Sequence, residues 1–220
     1  MFLRLVTLAS SLALVFAAPP AATAGCPDFL PFAGSPMSVG GYSISVVSDD
    51  YNHDGNADVV SANYNGDTIS VLLGNGNGTF APHVDYSDGP APYRLIGGDL
   101  NGDGEPDLVT SDFYGGVGVF LGVGDGTFAT RIAVAAGANP TSTSIGDWNH
   151  DGRPDLAVAN GGGAAVSILL GVGDGTFGSP VSYPVGNTPT WIVSADYDRD
   201  GDLDLSTTDA HDGTVSVLLG

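Results

Sequence analysis

Four short stretches of this sequence concentrate oxygen-bearing side chains at fixed offsets. They read Asp50-Tyr-Asn52-His-Asp54-Gly55-Asn56-Ala-Asp58, Asp99-Leu-Asn101-Gly-Asp103-Gly104-Glu105-Pro-Asp107, Asp147-Trp-Asn149-His-Asp151-Gly152-Arg153-Pro-Asp155 and Asp196-Tyr-Asp198-Arg-Asp200-Gly201-Asp202-Leu-Asp204. A hard cation such as calcium collects about six to eight oxygens from carboxylates, amides and backbone carbonyls. Side chains at loop positions 1, 3 and 5 can turn inward on a tight loop. Glycine at position 6 lets the chain reverse, so that the carbonyl of position 7 (Asn56, Glu105, Arg153, Asp202) can face an ion. The ninth-position Asp then closes the cage. Magnesium, with its small octahedral shell and retained waters, suits such a loop less well. Thirteen of the 25 acidic residues fall at positions 1, 3, 5 and 9, and carboxylates so crowded repel one another unless a cation is present. Up to four calcium ions are expected. Asp198 adds a charge where the other loops carry Asn, so the fourth loop should bind most tightly. Arg153 should make the third loop weakest, without forbidding binding through its backbone carbonyl.

The pattern begins like an EF-hand loop and then departs from it. Position 12 would need Glu, and it is Ser61, Thr110, Val158 and Thr207. The residues after each loop also read as strands.

The loops start 49, 48 and 49 residues apart, and a second signature keeps step with them. It is Leu73-Gly74 followed by Gly78-Thr79-Phe80, repeated as Leu121-Gly122 with Gly126-Thr127-Phe128, as Leu170-Gly171 with Gly175-Thr176-Phe177, and begun again at Leu219-Gly220. Ahead of each Leu-Gly pair the side chains alternate with a period of two, as at Val166, Ile168 and Leu170, which predicts strands. Their second face is small or apolar rather than charged, which predicts burial on both sides. Each repeat divides into four short strands, in the first repeat over 44–47, 58–62, a segment ending at Leu73-Gly74, and 81–86. Four strands in about 40–50 residues is the size of a propeller blade. The expected fold is all-β, a propeller of four four-stranded repeats. Residues 32–40 resemble the strand that follows each Phe. That strand could complete the last blade and close a four-bladed ring; the alternative is part of a larger propeller, with open strand edges available for self-association.

These two in-phase motifs resemble the FG-GAP and VCBS repeat family over nearly all of residues 32–220. The resemblance implies a β-propeller like that of integrin α-subunits. It also implies that calcium in the loops supports structure while ligands meet other loops. On it, the ligands map to Asp50, Asn52, Asp54, Asn56 and Asp58 and to their counterparts in the other three loops.

The formal net charge of −20 repels nucleic acid and anionic membranes. At the N-terminus, Arg4, an apolar run over 5–18 and small residues up to Ala24 read as an export signal over 1–24, with a short linker over 25–31. A secreted or cell-surface location is expected. Cys26 is the sole cysteine, so no intramolecular disulfide can form. Thr23-Ala24-Gly25-Cys26 resembles a bacterial lipobox, and membrane attachment is expected only if Cys26 is lipidated.

The leading functional reading is a calcium-binding module for adhesion to an extracellular protein or carbohydrate. Tyr51, Trp148 and Tyr197, at position 2 of three loops, read as exposed, able to stack on sugars or to pack against a neighbouring blade. Two other readings stay open: a non-catalytic fragment of a larger propeller, and an accessory domain of a calcium-dependent hydrolase or lyase. Catalysis in the chain itself is not expected. The sole Glu lies inside a loop, His53 and His150 at position 4 read as solvated, and no nucleophile-elbow pattern occurs.

Overall fold

The computed structural model describes residues 35–220. The expected export signal, linker and Cys26 lie outside the described residues. Fifteen strands build four antiparallel sheets, one per repeat. The first blade is β1 (Ser43–Asp49), β2 (Asp58–Asn63), β3 (Thr68–Leu72) and β4 (Val84–Ser87). The second is β5 (Pro92–Gly98), β6 (Asp107–Asp112), β7 (Val117–Phe120) and β8 (Ile132–Val134). The third is β9 (Pro140–Gly146), β10 (Asp155–Asn160), β11 (Ala165–Leu169) and β12 (Val181–Pro184). The fourth is β13 (Pro189–Ala195), β14 (Asp204–Asp209) and β15 (Thr214–Leu218). No helix among the described residues is long and apolar enough to cross a membrane.

Each sheet runs in chain order, and the first strands of successive blades lie beside one another. The cores therefore sit between blades. Val60, Ile69 and Val71 of the first blade meet Leu95, Leu108 and Phe120 of the second. Val109, Val117 and Val119 of the second meet Leu156, Val158 and Leu169 of the third. Ala157, Ala159 and Val166 of the third meet Ile192 and Leu205 of the fourth. Apolar side chains on both faces of the middle strands find a neighbour because a blade is covered on two sides.

That expectation fails at the fourth blade. Val215 and Val217 of β15 are 64% and 53% exposed, because among the described residues no further blade lies against them. Nor does a fourth strand pair with β15; the described part of the 32–40 segment, residues 35–40, forms no strand. Ring closure by that segment is thus not what the described residues do.

The second signature works as a spacer. Gly126 donates its N–H to the Tyr51 carbonyl at 2.9 Å. A Cβ there would come within 2.8 Å of Leu73 Cδ2. Gly175 stands against Leu121 in the same way. The Leu of one repeat thus packs on the Gly-Thr-Phe turn of the next, which keeps the two motifs in step.

Candidate metal centres and a buried ion cluster

The Asp-rich loops join the first two strands of each blade, so all four emerge at the same end of the sheets. In each, the first Asp takes backbone N–H groups on both oxygens. Asp50 Oδ1 accepts from Asp54 at 3.1 Å and Oδ2 from Gly55 at 2.9 Å. Asp147 does the same with Asp151 and Gly152 at 3.1 and 2.8 Å. Asp99 receives Gly102 and Gly104, and Asp196 receives Arg199 and Gly201. Position 4 sits in the left-handed region in every loop, with φ of 55° at His53, 76° at Gly102, 56° at His150 and 67° at Arg199. The fifth-position carboxylates Asp54, Asp103, Asp151 and Asp200 accept from the N–H of position 7, at 2.8 to 2.9 Å. In the first loop that donation from Asn56 holds Asp54 below the usual carboxylate range.

The ninth-position Asp is a buried bracket. Asp58, Asp107, Asp155 and Asp204 are each at most 1% exposed. One oxygen accepts the N–H of loop position 2, from Tyr51, Leu100, Trp148 and Tyr197, at 2.6 to 3.0 Å. The other accepts the N–H of the motif glycine sixteen or fifteen residues on (Gly74, Gly122, Gly171, Gly220) at 2.7 to 2.8 Å. A single carboxylate thus ties the loop to the Leu-Gly turn. Burial pushes Asp107 up, whereas the Gly220 and Tyr197 N–H groups hold Asp204 down.

Position 7 side chains reach out to neighbouring segments. Asn56, Glu105 and Arg153 lie across Gly76, Gly124 and Gly173. Glu105 Oε2 also meets His53 Nε2 of the preceding loop at 2.6 Å. Asp202 Oδ1 meets His150 Nε2 at 2.7 Å. Both histidines are more than half exposed, in line with the solvated reading, and each also bridges to the acid 52 residues on. Glu105 accordingly holds His53 above its ordinary range, by hydrogen bond and by charge. Of the position 2 residues, Tyr51 is not exposed: it is 3% accessible and packs edge-on against Phe128 at 5.4 Å. Trp148 is partly buried against the third core. Tyr197 is half exposed and shares a 2.8 Å hydrogen bond with Ser206.

The donors suit calcium: carboxylate, amide and backbone oxygens, with the loop histidines His53 and His150 engaged elsewhere. The fourth loop carries the most carboxylates. Oxygens of Asp196, Asp198 and Asp204 lie within 4.8 Å of one another. In the other loops the third-position Asn donates Nδ2 to the fifth-position Asp, as Asn52 does to Asp54 at 3.2 Å. Asp198 has no such donor, and desolvation together with the Asp200 charge pushes it up. If the loops take calcium, replacing Asp198 by Asn should therefore weaken binding at the fourth loop about tenfold, toward the other loops. Calorimetric titration of both proteins checks this; unchanged affinity would mean that the extra carboxylate is not a ligand.

Sequence reasoning missed a second charged cluster at the opposite end of the sheets. Arg131, just before β8, donates Nε to Asp88 Oδ1 at 2.6 Å and its terminal nitrogen to Asp112 Oδ2. Both carboxylates are wholly buried. Asp88 Oδ2 and Asp112 Oδ1 have no hydrogen-bond partner. The register explains the cluster. The β3, β11 and β15 positions equivalent to Gly118 of β7 carry Ser70, Ser167 and Ser216, each bonded to the residue that ends the second strand (Asn63, Asn160, Asp209). At Gly118 a Cβ would stand 2.6 Å from Arg131 Nε, so loss of the serine leaves room for a guanidinium. The signal in the sequence was that one Gly among three Ser.

With the blades and loops in place, the molecule is a β-propeller repeat protein carrying Asp-rich loops. The FG-GAP-like repeat model matches residues 50–110, 99–158 and 147–206, and the chain belongs to that family. No curated protein matches it. Among solved structures it is similar to an Agrocybe aegerita lectin that recognises non-reducing terminal N-acetylglucosamine. That match has 22% identity and a TM-score of 0.50 over 73% of this chain and 45% of that one. It is also similar to the V. cholerae biofilm matrix protein Bap1, at 17% identity and a TM-score of 0.56 over 80% and 26%. A third is BBS1N in complex with ARL6DN, at 13% identity and a TM-score of 0.54 over 82% and 55%. The chain spans about half or less of these structures, and at such identities they establish the fold alone.

Proposed function

We propose that the chain is a secreted or surface-exposed calcium-binding module, non-catalytic, whose propeller blades present a face for a protein or glycan ligand. The observation that carries the reading is the fourfold repetition of one oxygen-lined loop at the same end of every blade. In the fourth loop three carboxylates converge with no donor side chain to offset them. When bound, calcium would neutralise that charge, held by the side chains of positions 1, 3 and 5, by the ninth-position Asp and by the position 7 carbonyl. Asn56, Glu105, Arg153 and Asp202 enter this set through their backbone. The loops would then be rigid supports, and recognition would fall to other surfaces.

Ligand that binds only the folded state raises stability by mass action, by about 2.7 kcal/mol per site at a hundredfold excess over Kd. The melting temperature should rise by at least about 5–10 °C in excess calcium over chelator, and much less with magnesium. An unchanged transition would leave the loops as solvated turns.

A further inference from the structure

The inner wall of the blades forms an open cavity of about 860 Å³ lined mainly by β1, β5, β9 and β13. Its lining differs from the rest of this chain. The protein carries 25 acidic residues, yet among the described residues Arg94 is the only charged one facing the cavity, set between hydroxyls and apolar side chains. Each inner strand is irregular at its start, between Ser43 and Ser45, Pro92 and Arg94, Pro140 and Ser142, and Pro189 and Trp191. Such bulges re-aim the side chain that follows. The four residues after them occupy one register, facing Ala62, Ser111, Ala159 and Thr208 of the second strands. At this single level, alternate blades carry a serine and a large side chain.

The two large side chains meet. Arg94 lies over the Trp191 ring at 4.7 Å and over Tyr93 at 5.2 Å. Cation–π stacking uses the faces of the guanidinium and leaves its edge free. Arg94 forms no ion pair among the described residues, and its Nε is buried without a hydrogen-bond partner. A buried guanidinium N–H left without an acceptor is costly, and the planar edge it belongs to matches a carboxylate. Trp191, 46% exposed, offers an aromatic face beside it. Ser142 and the mutually bonded Ser144 and Ser194 supply hydroxyls to the same space. Arg94 also lines an adjoining recess of about 330 Å³ walled by Tyr42, Tyr64, Tyr93 and Phe113.

We infer that this cavity binds an acidic saccharide, with Arg94 pairing with a uronate-type carboxylate, Trp191 stacking on the sugar ring and the serines meeting its hydroxyls. A longer glycan runs on into the tyrosine recess. The inference rests on the reading of the chain as a binding module and places its recognition surface at the inner wall, apart from the calcium loops. Among the described residues no carboxylate lines the cavity, which favours entry of an anion despite the net charge.

The test is calorimetric titration with a uronic-acid tetrasaccharide and with its neutral glucose counterpart, in saturating calcium. Wild type, Arg94→Gln and Trp191→Ala are compared, with melting temperatures recorded for each. The expected result is binding of the uronide at least tenfold tighter than of the neutral sugar. Arg94→Gln should lose at least tenfold toward the uronide and little toward the neutral sugar, with its melting temperature kept. Trp191→Ala should weaken both. Equal binding of the two sugars, or uronide binding unaffected by Arg94→Gln, overturns the inference. So does a cavity that takes a peptide C-terminal carboxylate and no sugar. If wild type and Arg94→Gln bind a neutral glycan or a protein equally, the site is overturned while the binding-module reading stands.

Discussion

Replacing Asp155 by alanine will lower the melting temperature by about 8–15 °C even in chelator, where no ion can be lost. Asp155 has no accessible surface. Its two oxygens receive the N–H groups of Trp148 at 3.0 Å and Gly171 at 2.7 Å. Alanine would leave two donors unmet, each costing about 1–3 kcal/mol when buried, and every kcal/mol moves the transition of a domain this size by about 2–4 °C. Asp151→Ala makes the necessary contrast. Asp151 is exposed and accepts only within its own loop, from Arg153 N at 2.9 Å and Asn149 Nδ2 at 3.0 Å. It should change stability little in chelator and forfeit part of the calcium-dependent gain. Thermal unfolding of the three proteins, each with calcium and with chelator, separates the roles. If Asp155→Ala matched wild type in chelator and fell behind only in calcium, the ninth-position Asp would be a ligand and not a bracket.

The blade architecture was readable because each level of the pattern agreed. Turn chemistry, period-two alternation and the repeat length all pointed to the same strands, and strands read over 58–62 and 81–86 form as Asp58–Asn63 and Val84–Ser87. The loops were readable because a cation site needs its oxygens close together along the chain. What spanned blades was harder. His53 meets Glu105, and His150 meets Asp202, only because adjacent blades bring position 4 of one loop to position 7 of the next; the single-loop pattern contains no trace of it, although the recurring 52-residue offset does. The bracket role of Asp58 was hidden for a related reason. Its second partner, Gly74, belongs to the other motif, and the sequence shows that the motifs keep step without showing what joins them. Arg94 and Trp191 are two repeats apart and are joined by the curvature of the inner wall, which no local periodicity encodes.

The buried cluster around Arg131 leads to an expected result of opposite sign. Asp112→Asn should stabilise the protein, and increasingly so as pH rises. Two wholly buried carboxylates share one guanidinium, so the fully ionised cluster carries one uncompensated negative charge. Burial, and then the neighbouring charge of Asp88, push Asp112 up to about 7, with Arg131 opposing the shift. Burial raises Asp88 as well. A carboxyl whose folded pKa lies above its unfolded value, about 3.9, favours the folded state fully only while both states are protonated. That contribution is lost as pH climbs from about 4 to about 7. Asparagine has no proton to lose and leaves Arg131 paired one-to-one with Asp88. Asn63 and Asn160 already end β2 and β10 at the equivalent position, so the backbone accepts an asparagine there, and its Oδ1 can still accept from Arg131. The stability difference between Asp112→Asn and wild type should widen by about 1–3 kcal/mol between pH 5 and pH 8 and then level off. Denaturant unfolding at fixed excess calcium across that range measures it. A difference flat in pH would place the excess proton elsewhere, and a variant less stable at every pH would mean that Asp112 is held ionised by Arg131, its charge needed rather than tolerated.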